Sequence, residues 1–156
     1  MSGLETTPPR CLDHWDRRFL AMAELVAGWS KDPSTKVGCV ITSPDRRVVS
    51  TGFNGLPAGV EDSLERLQDR NVKYDMTVHA ERNAIISARR DLTGYRLYAT
   101  LMPCSVCAAM IIQAGLAEVI APACHDPRIA ETFRLDLTAE MFAEAGVSLF
   151  QVEPAA

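Results

Sequence analysis

Two short segments carry the residues whose types and spacing can do chemistry: His79-Ala80-Glu81, and further on Pro103-Cys104-Ser105-Val106-Cys107. If the second segment opens a helix, Cys104 and Cys107 stand three positions apart on one face, and both sulfurs can reach one ion. Pro103 suits a first helical position, and the unpaired N–H groups and dipole of a helix start favour the thiolate that zinc requires. His79 is the third candidate ligand. Three protein ligands leave a fourth position for water, the mark of catalytic rather than structural zinc. Glu81, two residues after His79, would diverge from it inside a helix, but in the first turn both side chains can converge on one pocket. There Glu81 is better placed to shuttle a proton than to ligate. A lone Cys-Xaa-Xaa-Cys also occurs in redox and structural-zinc sites, and a lone His-Xaa-Glu occurs by chance on many helices. The two together in this order point to catalytic zinc.

The elements that must position these residues follow from periodicity. Apolar residues from Leu12 to Trp29 repeat with the period of a helix with one buried face. Residues 37–42 and 48–53 read as a hairpin turning at Ser43-Pro44-Asp45-Arg46. A helix over 79–90, a strand over 96–101, a helix over 103–114 and a short strand over 118–121 follow, which is α/β alternation. A single helix is expected over 128–145, stopped by Gly146, before a last strand over 147–152. A helix between two strands is the connection that parallel neighbours require, so the last two strands are predicted to be parallel. Residues 55–78 form an unusually long connection, expected to be a binding loop or a lid with a short helix over 64–70.

Composition narrows the function classes. The 156 residues, 47% hydrophobic and 23% charged, suit one soluble domain, here residues 12–152 behind a flexible start over residues 1–11. No apolar run is long enough for a membrane span and the N-terminus has no signal-peptide pattern, so a cytoplasmic location is expected. Five cysteines, an odd number in a chain this size, argue against a disulfide framework and leave thiols free as ligands. A net charge of -4 lacks the basic footprint of polynucleotide binders, which favours a small substrate over nucleic acid.

His-Xaa-Glu followed by Pro-Cys-Xaa-Xaa-Cys is the zinc deaminase signature, and the chain from about Trp15 to Val152 resembles the cytidine and deoxycytidylate deaminase superfamily. The blocks Ser30-Lys31-Asp32-Pro33-Ser34-Thr35-Lys36-Val37-Gly38, Gly52-Phe53-Asn54-Gly55-Leu56-Pro57 and Val78-His79-Ala80-Glu81-Arg82-Asn83-Ala84-Ile85 are similar to the deoxycytidylate branch. Pro103-Cys104-Ser105-Val106-Cys107-Ala108 leading into Ile111-Ile112-Gln113-Ala114-Gly115 is similar to it too. The resemblance implies a three-layer α/β sandwich on a five-stranded mixed sheet, a zinc-dependent deaminase domain over 12–152, and a homo-oligomer. It also implies hydrolytic deamination of a cytosine nucleotide, dCMP to dUMP with release of ammonia.

For the substrate, Asn54 resembles the family residue that bonds the sugar, although Asn-Gly is also a turn dipeptide in its own right. Backbone groups near Ala80 and Cys104 are expected at the base. Lys31 and Lys36 are candidates for a 5′-phosphate, against the plain alternative of solvated lysines. His125, after the fourth strand, is a candidate for the substrate edge, against a simple loop residue. Within the enzyme class the rivals are deaminases of a nucleoside, of adenosine in tRNA, or of another amino-heterocycle. Outside it, the rival is a non-catalytic zinc-stabilised oligomeric module, which would have no need of Glu81.

Overall fold

The structure is a computed structural model that describes residues 10–154. Five strands form one sheet in the order β2-β1-β3-β4-β5: β1 is Gly38–Thr42, β2 Val48–Phe53, β3 Arg96–Ala99, β4 Glu118–Pro122 and β5 Ser148–Val152. β1 runs antiparallel to β2 and to β3, while β3, β4 and β5 are parallel neighbours. The expected mixed sheet with parallel last strands is present.

Strand alternation divides the core into two layers. Val40, Tyr98 and Ile120 point to one face, where Phe19 and Ala23 of helix α1 (His14–Ala27) cover them. Cys39, Ile41, Leu97, Ala99, Val119 and Ala121 point to the other, beneath α4 (Ala80–Ala88), α5 (Ser105–Gln113) and α7 (Leu135–Ala145). α1 opens on a capping box in which Asp13 accepts from the Asp16 amide and Asp16 accepts in return from the Asp13 amide.

Two segments differ from expectation. The long connection holds two short helices, α2 (Leu64–Gln68) and α3 (Arg70–Met76), because Ser63 and then Asp69 each cap a new start. The single helix expected over 128–145 is broken into α6 (Pro127–Thr132) and α7. Arg134 between them takes a left-handed conformation at φ 50°, which an α-helix cannot propagate. Gly146 ends α7 at φ 76°, as expected.

The close approach of helices to the sheet depends on two glycines. A Cβ at Gly52 would lie 2.3 Å from the Ala80 carbonyl oxygen and 2.5 Å from the Ala84 nitrogen, so α4 can rest on β2 only if residue 52 has no side chain. Gly38 does the same for α1, where a Cβ would lie 1.9 Å from the Ala23 carbonyl oxygen.

Residues 1–9 of the segment expected to be flexible lie outside the described residues. Arg10, beside them, is tied to the fold. Its guanidinium makes paired 2.7 Å bonds to Asp16 and a 2.8 Å bond to Glu118 at the start of β4. Asp16 also accepts from the Tyr98 hydroxyl at 2.7 Å. Burial alone would raise the Asp16 carboxyl, but Arg10 and Tyr98 override it and hold Asp16 well below the usual carboxylate range. A depressed carboxyl contributes stability above its ordinary value, and that contribution is lost as pH falls toward its folded value. Asp16→Asn is therefore expected to cost about 2 kcal/mol at neutral pH, discounted for the partly exposed Arg10. Thermal melts from pH 7 to pH 3 should show the wild type losing stability more steeply on the acid side than the variant; parallel curves would remove Asp16 as the cause.

Candidate metal centre and active site

Both helices of the chemistry-bearing segments begin on a candidate ligand. His79 is the N-cap of α4, and its side chain makes no capping bond, which leaves the imidazole to turn away from the helix. Cys104 is the N-cap of α5 and its sulfur accepts the Cys107 amide at 3.5 Å. The sequence reading put Pro103 and Cys104 inside that helix. Instead Pro103 precedes the cap, because the Cys104 sulfur takes the place of a capping oxygen for an otherwise unpaired N–H. Two helix N-termini thus point their positive ends at one spot.

At that spot His79 Nδ1 lies 3.6 Å from Cys104 Sγ and 3.3 Å from Cys107 Sγ, and the three donor atoms fall within 4.8 Å of one another. A tetrahedral zinc at about 2.0–2.1 Å from nitrogen and about 2.3 Å from sulfur sets nitrogen–sulfur edges of about 3.6 Å, so this donor set fits the ion. The protonation pattern agrees. Cys107, hydrogen-bonded to Cys104, holds the Cys104 thiol down to about 3 against burial, with help from His79. The Cys107 thiol is pushed up by that same bond and by burial. The opposite shifts come from two sulfurs crowding their charge into one small space, which a dication relieves.

Glu81 is almost completely buried beside them, in the first turn of α4. Burial raises its carboxyl, while its own amide and the His79 charge pull the other way. A carboxyl raised by desolvation holds a proton more readily than a free one, which suits a group that must take up and return protons. Arg82, missed by the sequence reading, lies alongside. Burial works against its charge, but the Cys107 and Cys104 sulfurs override it, and its Nε is buried with no protein partner. Its cation offsets the thiolate charge. An arginine three residues after a ligand histidine on a helix start was the available signal, since positions i and i+3 share a face.

The other expected site residues are placed differently. Asn54 is buried, and its side chain knits loops together: Oδ1 accepts from the Val37 amide at 2.8 Å and Nδ2 donates to the Thr35 carbonyl at 2.9 Å. Its neighbour Gly55 exchanges two backbone bonds with Val78, at 3.2 and 2.8 Å, which brings the Asn54 turn against the residue preceding His79. Ala80 is fully buried under β2 and packs in the core. Lys31 is exposed and paired with Asp62 at 2.7 Å. Lys36 donates to the Ser30 carbonyl at 2.8 Å. His125 is exposed at the end of β4 and pairs with Glu153 at 3.1 Å. The structure thus gathers His79, Glu81, Cys104 and Cys107, sets Asn54 at the margin, and leaves both lysines and His125 engaged with other groups.

The model of the cytidine and deoxycytidylate deaminase zinc-binding region matches residues 13–123. The chain belongs to that family. It is 46% identical over 139 residues to the uncharacterized deaminase in the luxG 3′ region of Aliivibrio fischeri, covering 88% of this chain and 93% of that one. It is 38% identical over 148 residues to the deoxycytidylate deaminase of Mus musculus, covering 90% and 80%. Among solved structures, the dCMP deaminase from the cyanophage S-TIM5 in complex with dCMP and dUMP superimposes with a TM-score of 0.73 at 23% identity, covering 92% of this chain and all of that one, which shows a shared fold. The three-layer sandwich is therefore the cytidine-deaminase-like fold, and zinc is the family's metal.

If His79, Cys104 and Cys107 hold that metal, the purified deaminase contains about one zinc per chain, and Cys104→Ser or Cys107→Ser lowers the content to near zero. Metal analysis of the three proteins checks this; a zinc-free preparation with full activity would overturn it.

Proposed function

We propose that this chain hydrolyses dCMP to dUMP and ammonia, with His79, Cys104 and Cys107 holding zinc and Glu81 moving protons. The observation that carries the reading is the convergence of these three donors within 4.8 Å beside a buried carboxylate. The deoxycytidylate deaminases among the relatives, at 38% identity for the mouse protein, support the substrate. When bound, zinc supplies the Lewis acidity that makes water nucleophilic at neutral pH.

The chain's own residues do the rest. The Glu81 carboxylate takes one proton from the attacking water and delivers it to N3 of the ring, then takes the second from the new C4 hydroxyl and delivers it to the departing amine. Water adds at C4, the C4–N4 bond breaks, and the nitrogen leaves as ammonia with its protons accounted for. Arg82 steadies the thiolates, and one lone pair left on Asn54 Oδ1 is available to a sugar hydroxyl. The deaminase unit spans residues 12–152. The enzyme works in the cytoplasm, and it does so as a homo-oligomer; exposed apolar side chains at Ile86, Leu101 and Val106, around the two ligand-bearing helices, support the association. No helix among the described residues is long and apolar enough to cross a membrane.

Glu81→Gln is expected to keep zinc and fold while losing about 10²- to 10⁴-fold in kcat, because the amide cannot accept the water proton. Near wild-type turnover with zinc intact would end the proton-transfer role.

The substrate is checked by ammonia release from dCMP, CMP, deoxycytidine, cytidine, adenosine and guanine. A charge-assisted phosphate contact, at about 1.5–3 kcal/mol, should favour dCMP over deoxycytidine by roughly ten- to a hundred-fold in kcat/KM, with the gap narrowing as salt rises. Equal efficiency on the two would move the enzyme to nucleosides or free bases and leave the zinc chemistry in place.

A further inference from the structure

The long connection before His79 is held by one buried ion pair that the chemistry above does not use. Asp32 and Lys73 are each only 7% exposed, with Lys73 Nζ 3.2 Å from Asp32 Oδ1. The same carboxylate accepts the Ser34 amide at 2.8 Å, the Thr35 amide at 3.1 Å and Asn54 Nδ2 at 3.5 Å. One side chain therefore gathers donors from three stretches: the loop after α1, the turn after β2, and α3 of the connection.

We propose that Asp32 and Lys73 form a positioning couple for the substrate: the pair draws the connection onto the loop after α1 and fixes the entrance to the site. This rests on the reading of the chain as a nucleotide deaminase. The loop, the turn and the connection enclose a cavity of about 250 Å³ lined by Trp29, Asp32, Asn54, Leu67 and Thr77 among others, and Thr77 stands two residues before His79. Lys73 is linked to that end by backbone as well, since its carbonyl accepts the Thr77 amide at 2.9 Å.

A buried ion pair gains little stability over an apolar pair of the same shape, so stability alone does not account for placing charge here. What the carboxylate adds is direction, because its oxygens order two loop amides while its charge holds the lysine. His79 has separate support from the Gly55–Val78 bridge. The couple should therefore act on substrate binding and leave zinc and the chemical step in place.

The test uses the zinc-loaded full chain with Lys73→Met, Asp32→Asn and the double variant. In Lys73→Met the carboxylate keeps its two loop amides, so the loop stays folded while its tie to α3 is cut. KM for dCMP is expected to rise roughly ten-fold with kcat within about two-fold of wild type. Zinc content should be unchanged, and tryptic cleavage after Arg66 and Arg70 should quicken without substrate. The double variant leaves no unpaired buried charge, so it should regain thermal stability yet keep the raised KM and the faster cleavage.

A KM that recovers together with stability in the double variant would reduce the pair to a structural role and overturn the proposal. So would wild-type KM and wild-type cleavage in Lys73→Met. If Lys73→Met does not fold, the double variant carries the same comparison. If the wild type does not turn over dCMP, the nucleotide reading fails, and the couple is decided by the same KM comparison on whichever amino-heterocycle of the ammonia-release panel the wild type does turn over: a raised KM kept in the double variant upholds it and an unchanged KM overturns it.

Discussion

The site exists only if the N-termini of α4 and α5 meet within one coordination sphere. Each helix begins on a ligand, so a shift of either by one residue, about 1.5 Å along its axis, would take a donor away. The sheet enforces the meeting. Gly52 lets α4 rest on β2 backbone to backbone, and Ser50 on the same strand donates a 2.6 Å bond to the Ala84 carbonyl. On the other side, the Thr138 hydroxyl of α7 bonds the Pro103 carbonyl at 2.9 Å, and the Phe133 carbonyl takes the Ser105 amide at 3.1 Å. A strand below and a helix behind thus pin the two caps from opposite directions.

The charge balance follows from that meeting. Two thiols and a carboxyl are packed into a partly water-free corner, where three negative charges would repel one another strongly. Cys107 and His79 hold the Cys104 thiol down, and burial raises Glu81. The helix ends, Arg82 and a bound dication all act against that repulsion. They also explain why the site sits at helix starts: an acid and two sulfurs are tolerated there, while a basic pocket would gain nothing from the dipoles.

What the sequence disclosed was largely what periodicity and local chemistry encode. The apolar runs of β1, β3 and β4, the stop at Gly146 and the ligand spacing are local signals, and these features stand within a residue or two of their expected places. The break at Arg134 was not legible, because nothing in its residue type announces a left-handed backbone and the apolar spacing runs through it. The same holds for Asp32 and Lys73, which are distant in sequence and look like ordinary loop and helix charges until the fold brings them to 3.2 Å. Arg10 seemed part of a loose end because its partner Glu118 lies on β4, beyond any local window.

Asn54 marks the boundary between the two kinds of information. Its residue type and its glycine neighbour announce a turn, and resemblance attaches a sugar contact to it. Only the tertiary structure reveals that its amide is already committed to Val37 and Thr35. A side chain so held has little rotamer freedom left to lose, and any hydrogen bond it offers a ligand is offered from a fixed position. The bonds that occupy the side chain are therefore the ones that would make a substrate role effective, by fixing the remaining lone pair before the ligand arrives.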